Sequence, residues 1–515
     1  MQGRPVAVDY SRAARAAPVA AEITLPLAFT PARRPRSLLS RWLARHPAWP
    51  LTALLAGYPL WWALGVAEYM WVVLAIPVAL RIFGWHMSRS RPVRFPPGFG
   101  IWLLFLLWTA ASVVTITLQA PGTGSSSVTN RLIAYSDRGA TYLAVTALLL
   151  FVGNLTEDEL PRRKLAWLLG LLGMYTVMFG VAGILQPTFE FSSPVLYLMP
   201  HRLQDNALIQ AQMHPALTQL QNVFGQATYQ GRPKAPFPYT NTWGECLTIT
   251  VPWLLVGWLH GSRRRMRRVL IWPAVALAMI ALVYSLNRGA WIATGLGVAY
   301  VAVRLAMRGR VALITGLAAL LVMLVIVGLV SPLGNIIDQR LQNGQSDPIR
   351  AALFSLSIKD GLSSPVLGYG DTRQQVGSIN SIAIGPTPDC PLCGHAEVGS
   401  TGQFSLVLIC TGFVGVFCYF GFFGYLGWRY RRDPTPYGWV GLLVILLSFV
   451  YMFTYDALAA PIGVTMLSCG LLWRNDRQRR LDAGLAGDQM PRPLALASRT
   501  IAGADTAPAA TARAR

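Results

Sequence analysis

The stretch from Arg263 to Arg310 reads RRRMRRVLIWPAVALAMIALVYSLNRGAWIATGLGVAYVAVRLAMRGR, and its layout decides the fold. An arginine cluster is followed by an apolar run, 269–287, then by Arg288, a second apolar run, 289–307, and more arginine. Runs of about 17–25 apolar residues match the thickness of a hydrocarbon core crossed as a helix. The few polar residues between the runs leave room for only a tight hairpin connection, so the stretch reads as two consecutive membrane helices with their basic ends on one side.

The rest of the chain repeats this pattern. Of the 515 residues, 53% are hydrophobic and 13% charged, and mean hydropathy is +0.43. Soluble domains carry about 25% charged residues, so lipid is the expected solvent. The further candidate spans are 50–66, 67–86, 98–118, 138–154, 165–186, 240–260, 311–330, 400–428, 437–456 and 457–473. The expected fold is all-α and polytopic, with about twelve transmembrane helices including the pair above.

The net charge of +22 does not indicate nucleic-acid binding, because the arginines lie in short clusters between apolar runs and on no recognisable binding module. They report topology instead. With the N-terminus inside, the clusters at Arg81–Arg94, Arg162–Lys164, Arg263–Arg268, Arg304–Arg310, Arg429–Arg432 and Arg474–Arg480 all fall on the inner side. Both termini are then cytoplasmic: a basic tail at 1–49, a membrane domain at 50–473 and a basic, disordered tail at 474–515. Two long segments, about 187–239 and 331–399, fall outside. Loops of that length are usually functional, and short amphipathic helices are expected in them, for example at Asp347–Leu362.

Cys246, Cys410, Cys418 and Cys469 lie in apolar runs and read as small hydrophobes. Cys390 and Cys393 stand in C-P-L-C-G-H, where a local disulfide is favoured over free thiols and both over a metal site, since no second C-x-x-C completes a zinc set.

Four outer features could carry chemistry. Arg232 and Lys234 enter a proline-rich turn that leads to Asn241 and Glu245, although Thr240 or Asn241 could simply cap the following helix and Glu245 serve as its first-turn acid. Arg288 sits in the tight Ser285–Trp291 connection near membrane depth, where an ion needs a partner or a task. Its fork suits phosphate or carboxylate, the bland alternative being contact with lipid headgroups. Arg350 lies on a helix that ends in Ser364-Pro-Val-Leu-Gly-Tyr-Gly370. His395 and Glu397 precede the tenth span, where an imidazole could act as general base, although a lone loop histidine more often has no role.

The order of these features resembles the O-antigen ligase and polymerase superfamily of bacterial envelope enzymes: a proline-rich entry with Asn241, the Ser-x-x-Arg288-Gly turn, a large loop with Arg350 and Leu-Gly-Tyr-Gly370, then Thr411-Gly-Phe-Val-Gly415. The resemblance covers about 230–425 and implies a metal-independent, cofactor-free glycosyltransferase in the bacterial plasma membrane. The implied donor is a polyprenyl-diphosphate-linked glycan. The acceptor is a glycan or a lipid, membrane lipids surround the protein, and a chain-length regulator would accompany a polymerase. Arg288, His395 and Glu397 become the catalytic candidates, and Arg232, Lys234, Asn241 and Arg350 the substrate-binding ones. One departure stands: the position where ligases of this family carry His is Thr401 here, which leaves the base open between His395 and Glu397. A twelve-helix secondary transporter or polysaccharide exporter is the competing reading, disfavoured by few charges within spans and two long outer loops.

Overall fold

The computed structural model describes residues 46–89, 91–124, 127–200, 209, 212–222, 229–260, 265–310, 315, 346–374 and 397–484. The predicted span at 311–330 apart from Thr315, and His395, Cys390, Cys393 and the tails at 1–45 and 485–515, lie outside the described residues. Through every other predicted span runs helix: α1 Trp49–Ala56, α2 Tyr58–Ala63, α3 Ala67–Val73, α4 Ala75–Met87, α5 Phe99–Ala111, α6 Val128–Asn154, α7 Arg162–Leu185, α8 Thr240–Leu259, α9 Arg265–Tyr284, α10 Arg288–Ala306, α11 Ser346–Ser363, α12 Gln403–Tyr430, α13 Pro436–Tyr451 and α14 Ala459–Asp482. Among the described residues, four segments are long and apolar enough to cross a membrane: Ala67–Met87, Arg162–Leu185, Arg288–Ala306 and Gln403–Tyr430.

Helix α8 is the hub, packing on α7, α9, α13 and α14. Glycines permit its approach to α7. A Cβ on Gly170 would stand 2.6 Å from the Leu254 Cα, and one on Gly257 would stand 2.8 Å from the Trp167 backbone. Small residues at such crossings let backbones meet where lipid offers no hydrophobic drive. The core is correspondingly rich in enclosed rings, including Trp71, Trp102, Trp243 and Trp253.

Two boundaries differ from the sequence expectation, each because a buried arginine finds its partners within the protein. Helix α6 starts at Val128, not near 138, because Arg131 is enclosed and donates to the Ile116 carbonyl (3.1 Å) and Gln119 Oε1 (3.2 Å). A charge satisfied by protein does not end a helix, although hydropathy reads it as an end. Likewise α14 continues through Asp482, so 474–482 belongs to the helical body and not to a disordered tail. Arg474, 2% exposed, donates there to the Thr156 carbonyl (2.7 Å) and Glu157 Oε1 (3.0 Å). The first long segment, where short helices are expected, has a short 3-10 helix at Pro194–Leu198 and strands besides. It carries a hairpin of β1 Thr218–Asn222 and β2 Tyr229–Pro233, with Thr218 opposite Pro233. A second small ladder pairs β3 Arg373–Gln374 with β4 Glu397–Val398, so the fold is mostly and not wholly helical. The helix expected at Asp347–Leu362 is present as α11.

Two motifs distant in sequence lock together in α12. The helix breaks at Gly412, whose φ of 67° and ψ of −172° are non-helical. The Ser364–Gly370 turn fills the break: the Phe413 amide donates to the Pro365 carbonyl (2.8 Å), Tyr369 to Ile409 (2.7 Å) and Gly370 to Cys410 (3.0 Å). Each backbone group freed by the kink must find such a partner. Gly368, at φ +65°, lies so close that an added Cβ would be 2.5 Å from the Ile409 oxygen.

The arginine clusters also sort spatially. Arg91 pairs with Glu159 (2.9 Å), and Arg162 (2.7 Å) and Arg474 (3.0 Å) share Glu157. Arg304 donates to the Arg431 carbonyl (2.8 Å), and Arg479 pairs with Asp433 (3.5 Å). The loops following α4, α6, α10 and α12 therefore meet one another through these contacts at one end of the bundle.

Candidate functional site

The opposite end is organised around the three-residue connection between α9 and α10. Asn287 caps α10, its Oδ1 accepting from the Ala290 amide at 3.0 Å. Leu286 is held at φ +52° while only 3% exposed. A bulky residue in the left-handed region costs about 1–3 kcal/mol and persists only where its surroundings over-determine it. Those surroundings come from other elements. The Arg232 Nε donates to the Ser285 carbonyl at 2.7 Å, the Asn287 Nδ2 donates to the Thr240 carbonyl at 3.5 Å, and the Tyr455 hydroxyl donates to Asn287 Oδ1.

Arg288 opens α10, half-buried, where the helix already carries partial positive charge. Helix termini favour anions there, so the cation and the dipole together define a place for an anionic group. Arg350, on α11, donates to the Thr454 carbonyl (3.1 Å) and lies over the Tyr455 ring, 5.6 Å from its centroid. Arg232 and Arg350 thus reach one Asn287–Tyr455 junction from distant parts of the chain, and Arg288 follows Asn287 directly at the start of α10.

Beside them lies Asp456, in the 452–458 connection between α13 and α14. One carboxylate oxygen is enclosed with no hydrogen-bond partner. Its pKa is pushed up to about 7, first by burial and then by the charge of Glu397, against the lowering effects of Arg138, the Gly402 amide and Arg350. Gln403 holds this connection in place. Its amide donates to the Tyr455 carbonyl (3.0 Å), its Oε1 accepts from the Ala457 amide (3.0 Å), and its Nε2 donates to the Tyr142 hydroxyl (3.0 Å). The Arg138–Asp371 ion pair ties α6 to the loop carrying the Gly-rich turn.

The remaining sequence candidates divide. Glu397 is exposed on β4, accepts from the Thr372 hydroxyl at 2.7 Å and faces Asp456 electrostatically. Lys234 lies near but apart, half-buried in a separate recess, where burial lowers its pKa and Glu190 opposes. Asn241 is half-buried in the first turn of α8. Neither Thr240 nor Asn241 is the cap expected of them: the capping position is Tyr239, extended at φ −131° and ψ 149°, with no side-chain cap. The proline-rich approach sets that extended backbone one residue early. Glu245 is correspondingly no first-turn acid. It is 3% exposed, points into the bundle and leaves Oε2 without a partner. His395 lies outside the described residues.

No protein-family model matches the chain, and no curated protein matches its sequence. The resemblance to the O-antigen ligase and polymerase superfamily therefore rests on the motif residues alone.

Sequence reading missed Asn287, Gln403, Tyr455 and Asp456. Tyr455 and Asp456 fall at the end of the predicted span at 437–456. A tyrosine–aspartate pair at the junction of two apolar runs was the available signal.

Proposed function

We propose that the protein is a multi-pass membrane glycosyltransferase of the O-antigen ligase and polymerase type, moving a glycan from a polyprenyl-diphosphate donor to a glycan or lipid acceptor. In this reading twelve spans place both termini in the cytoplasm and the arginine junction on the outer face of the plasma membrane. The observation that carries it is the meeting of Arg232 and Arg350 at the Asn287–Tyr455 junction, beside the helix start that Arg288 opens and away from the ion-paired basic loops.

In the reaction, an acceptor hydroxyl oxygen attacks the anomeric carbon while the bond from that carbon to the diphosphate oxygen breaks. The diphosphate leaves with the electron pair. Guanidiniums at the junction stabilise that growing charge, and fixed cations at a partly dry site do so with little reorganisation. The acceptor proton passes to the Glu397–Asp456 carboxylate pair, Glu397 being the exposed member. His395 is the alternative base.

Glu245 favours a second reading. An unpaired carboxylate inside a helix bundle, in a small cavity with Gln403, Tyr419, Ser448 and Thr465, suits ion-coupled transport by a secondary transporter or polysaccharide exporter.

The deciding assay incubates purified protein in nanodiscs with a lipid extract containing diphosphate-linked oligosaccharides, EDTA present, and follows products by gel and mass spectrometry. Wild type should lengthen or transfer the glycan, and Arg288→Ala should lower the rate about 100–1,000-fold, the usual loss of a charge-stabilising donor. If wild type leaves every glycan unchanged and instead moves a solute across vesicles, the transferase reading fails.

A further inference from the structure

We propose that the recess between Trp62, Glu68, Gln212, Lys234 and Phe237 is a sugar-binding subsite, distinct from the arginine junction, that takes one hydroxyl of a neutral carbohydrate and stacks its ring outside. The recess lies where α2 breaks from α3 and the chain after β2 folds against them. Glu68 and Gln212 line it, and each is 7% exposed. Glu68 spends Oε2 on the Ala460 amide at 3.2 Å, while its Oε1 is enclosed and unpartnered. Gln212 has no partner on either its Oε1 or its Nε2.

Three enclosed polar atoms at one place are rare in folded proteins. A carboxylate oxygen, a carboxamide that both donates and accepts, and an ammonium call for a partner that can do both as well. A hydroxyl does. Glu68 disfavours an anion and Lys234 disfavours a cation, so the ligand that matches both is neutral. The cavity itself measures about 10 Å³, close to the volume that admits one water-sized group. It therefore holds a hydroxyl and not a ring. The ring would rest on the half-buried Trp62, whose face a C–H face of a pyranose complements, with the buried Phe237 and Pro238 forming the back of the recess. Trp62 is braced for that by Phe179, at 4.7 Å between ring centroids, and Phe191, at 5.8 Å.

The recess shares its end of the bundle with the junction: Lys234 follows Arg232 by two residues, and Ala460, which Glu68 holds, follows Asp456 by four. Making this sugar part of the transferred or accepting glycan rests on the transferase reading above, whereas the affinity for sugar does not.

The test uses full-length protein in nanodiscs and saturation-transfer NMR with glucose, galactose and N-acetylglucosamine as probes. A parallel titration with inorganic pyrophosphate reports the arginine junction. At least one sugar should bind wild type, and Glu68→Gln and Gln212→Ala should each weaken it about tenfold or more, with pyrophosphate affinity unchanged. Glu68→Gln preserves shape, so it gives the answer even where Gln212→Ala lowers the melting temperature. If wild type binds none of the three sugars, or both variants bind them as wild type does, the recess holds water alone and the proposal is overturned. Loss of pyrophosphate binding with sugar binding intact would instead remove the junction's role and leave this one standing.

Discussion

The two ends of the bundle use the same residue types to opposite effect. At the basic-loop end, guanidiniums find carboxylates: Arg91 with Glu159, Arg162 and Arg474 with Glu157, Arg479 with Asp433, Arg480 with Asp476. At the other end, Arg232 and Arg350 donate to main-chain carbonyls, and Asp456 and Glu245 each keep an oxygen without a partner. The Arg138–Asp371 ion pair anchors the loop there. Charges neutralised within the protein stabilise it or set its topology, whereas an enclosed carboxylate oxygen without a partner, as on Asp456 and Glu245, remains to meet a ligand or a proton.

The largest test of that contrast after the arginines themselves is Asp456→Asn. A base must be ionised to accept a proton, so with a pKa of about 7 wild-type kcat/KM should fall as pH drops through neutrality. The variant should lose about 100-fold or more in rate and also lose that acidic limb. Stability runs the other way. The folded-state pKa lies above the ordinary carboxylate value, so the native state binds the extra proton, and thermal stability should decline as pH rises from about 4 to 7. Asp456→Asn should remove that decline. A pH profile with its limb intact in the variant would return the base to His395 or Glu397.

The membrane-spanning character was legible because hydropathy and arginine spacing report the same quantity, the cost of charge in lipid. Arg232, Arg288 and Arg350 were legible for a related reason, as cations placed where topology asked for none. What was hidden is what depends on pairing across the chain. Arg131 and Arg474 look like helix ends until their carbonyl partners are seen. Glu245 looks like a first-turn acid until the extended Tyr239 shifts the helix start. Asp456 derives its elevated pKa from burial and from Glu397, neither of which has a local sequence signature. The turn at 364–370 and the glycine at 412 were each visible as motifs, but their mutual hydrogen bonds were not.

That lock offers a middle-sized test. Gly412→Ala would put a Cβ 2.6 Å from the Pro365 oxygen on a backbone at φ +67°. A loss of about 1–3 kcal/mol is expected, read as a lower melting temperature in detergent together with reduced transfer, since the turn carries the loop toward Asp371 and Arg373. Gly295→Ala, in α10 with open space around it, should be neutral or slightly stabilising. Equal effects at the two glycines would mean that the broken helix does not support the ligand-facing end.

The smallest effect is expected where the comparison says charge is already settled. Arg480 pairs with Asp476 at 3.0 Å, one turn earlier in α14, and its side chain is 41% exposed. Exposed pairs of this kind are worth about 0–1 kcal/mol and are screened by salt. Arg480→Ala should therefore shift the melting temperature little at low salt and not measurably at high salt, and transfer should proceed at the wild-type rate in both. A loss of transfer comparable to that of Arg288→Ala would mean that positive charge anywhere on the molecule sustains the reaction. The division of labour between the two ends would then be the wrong account of why the arginine junction exists.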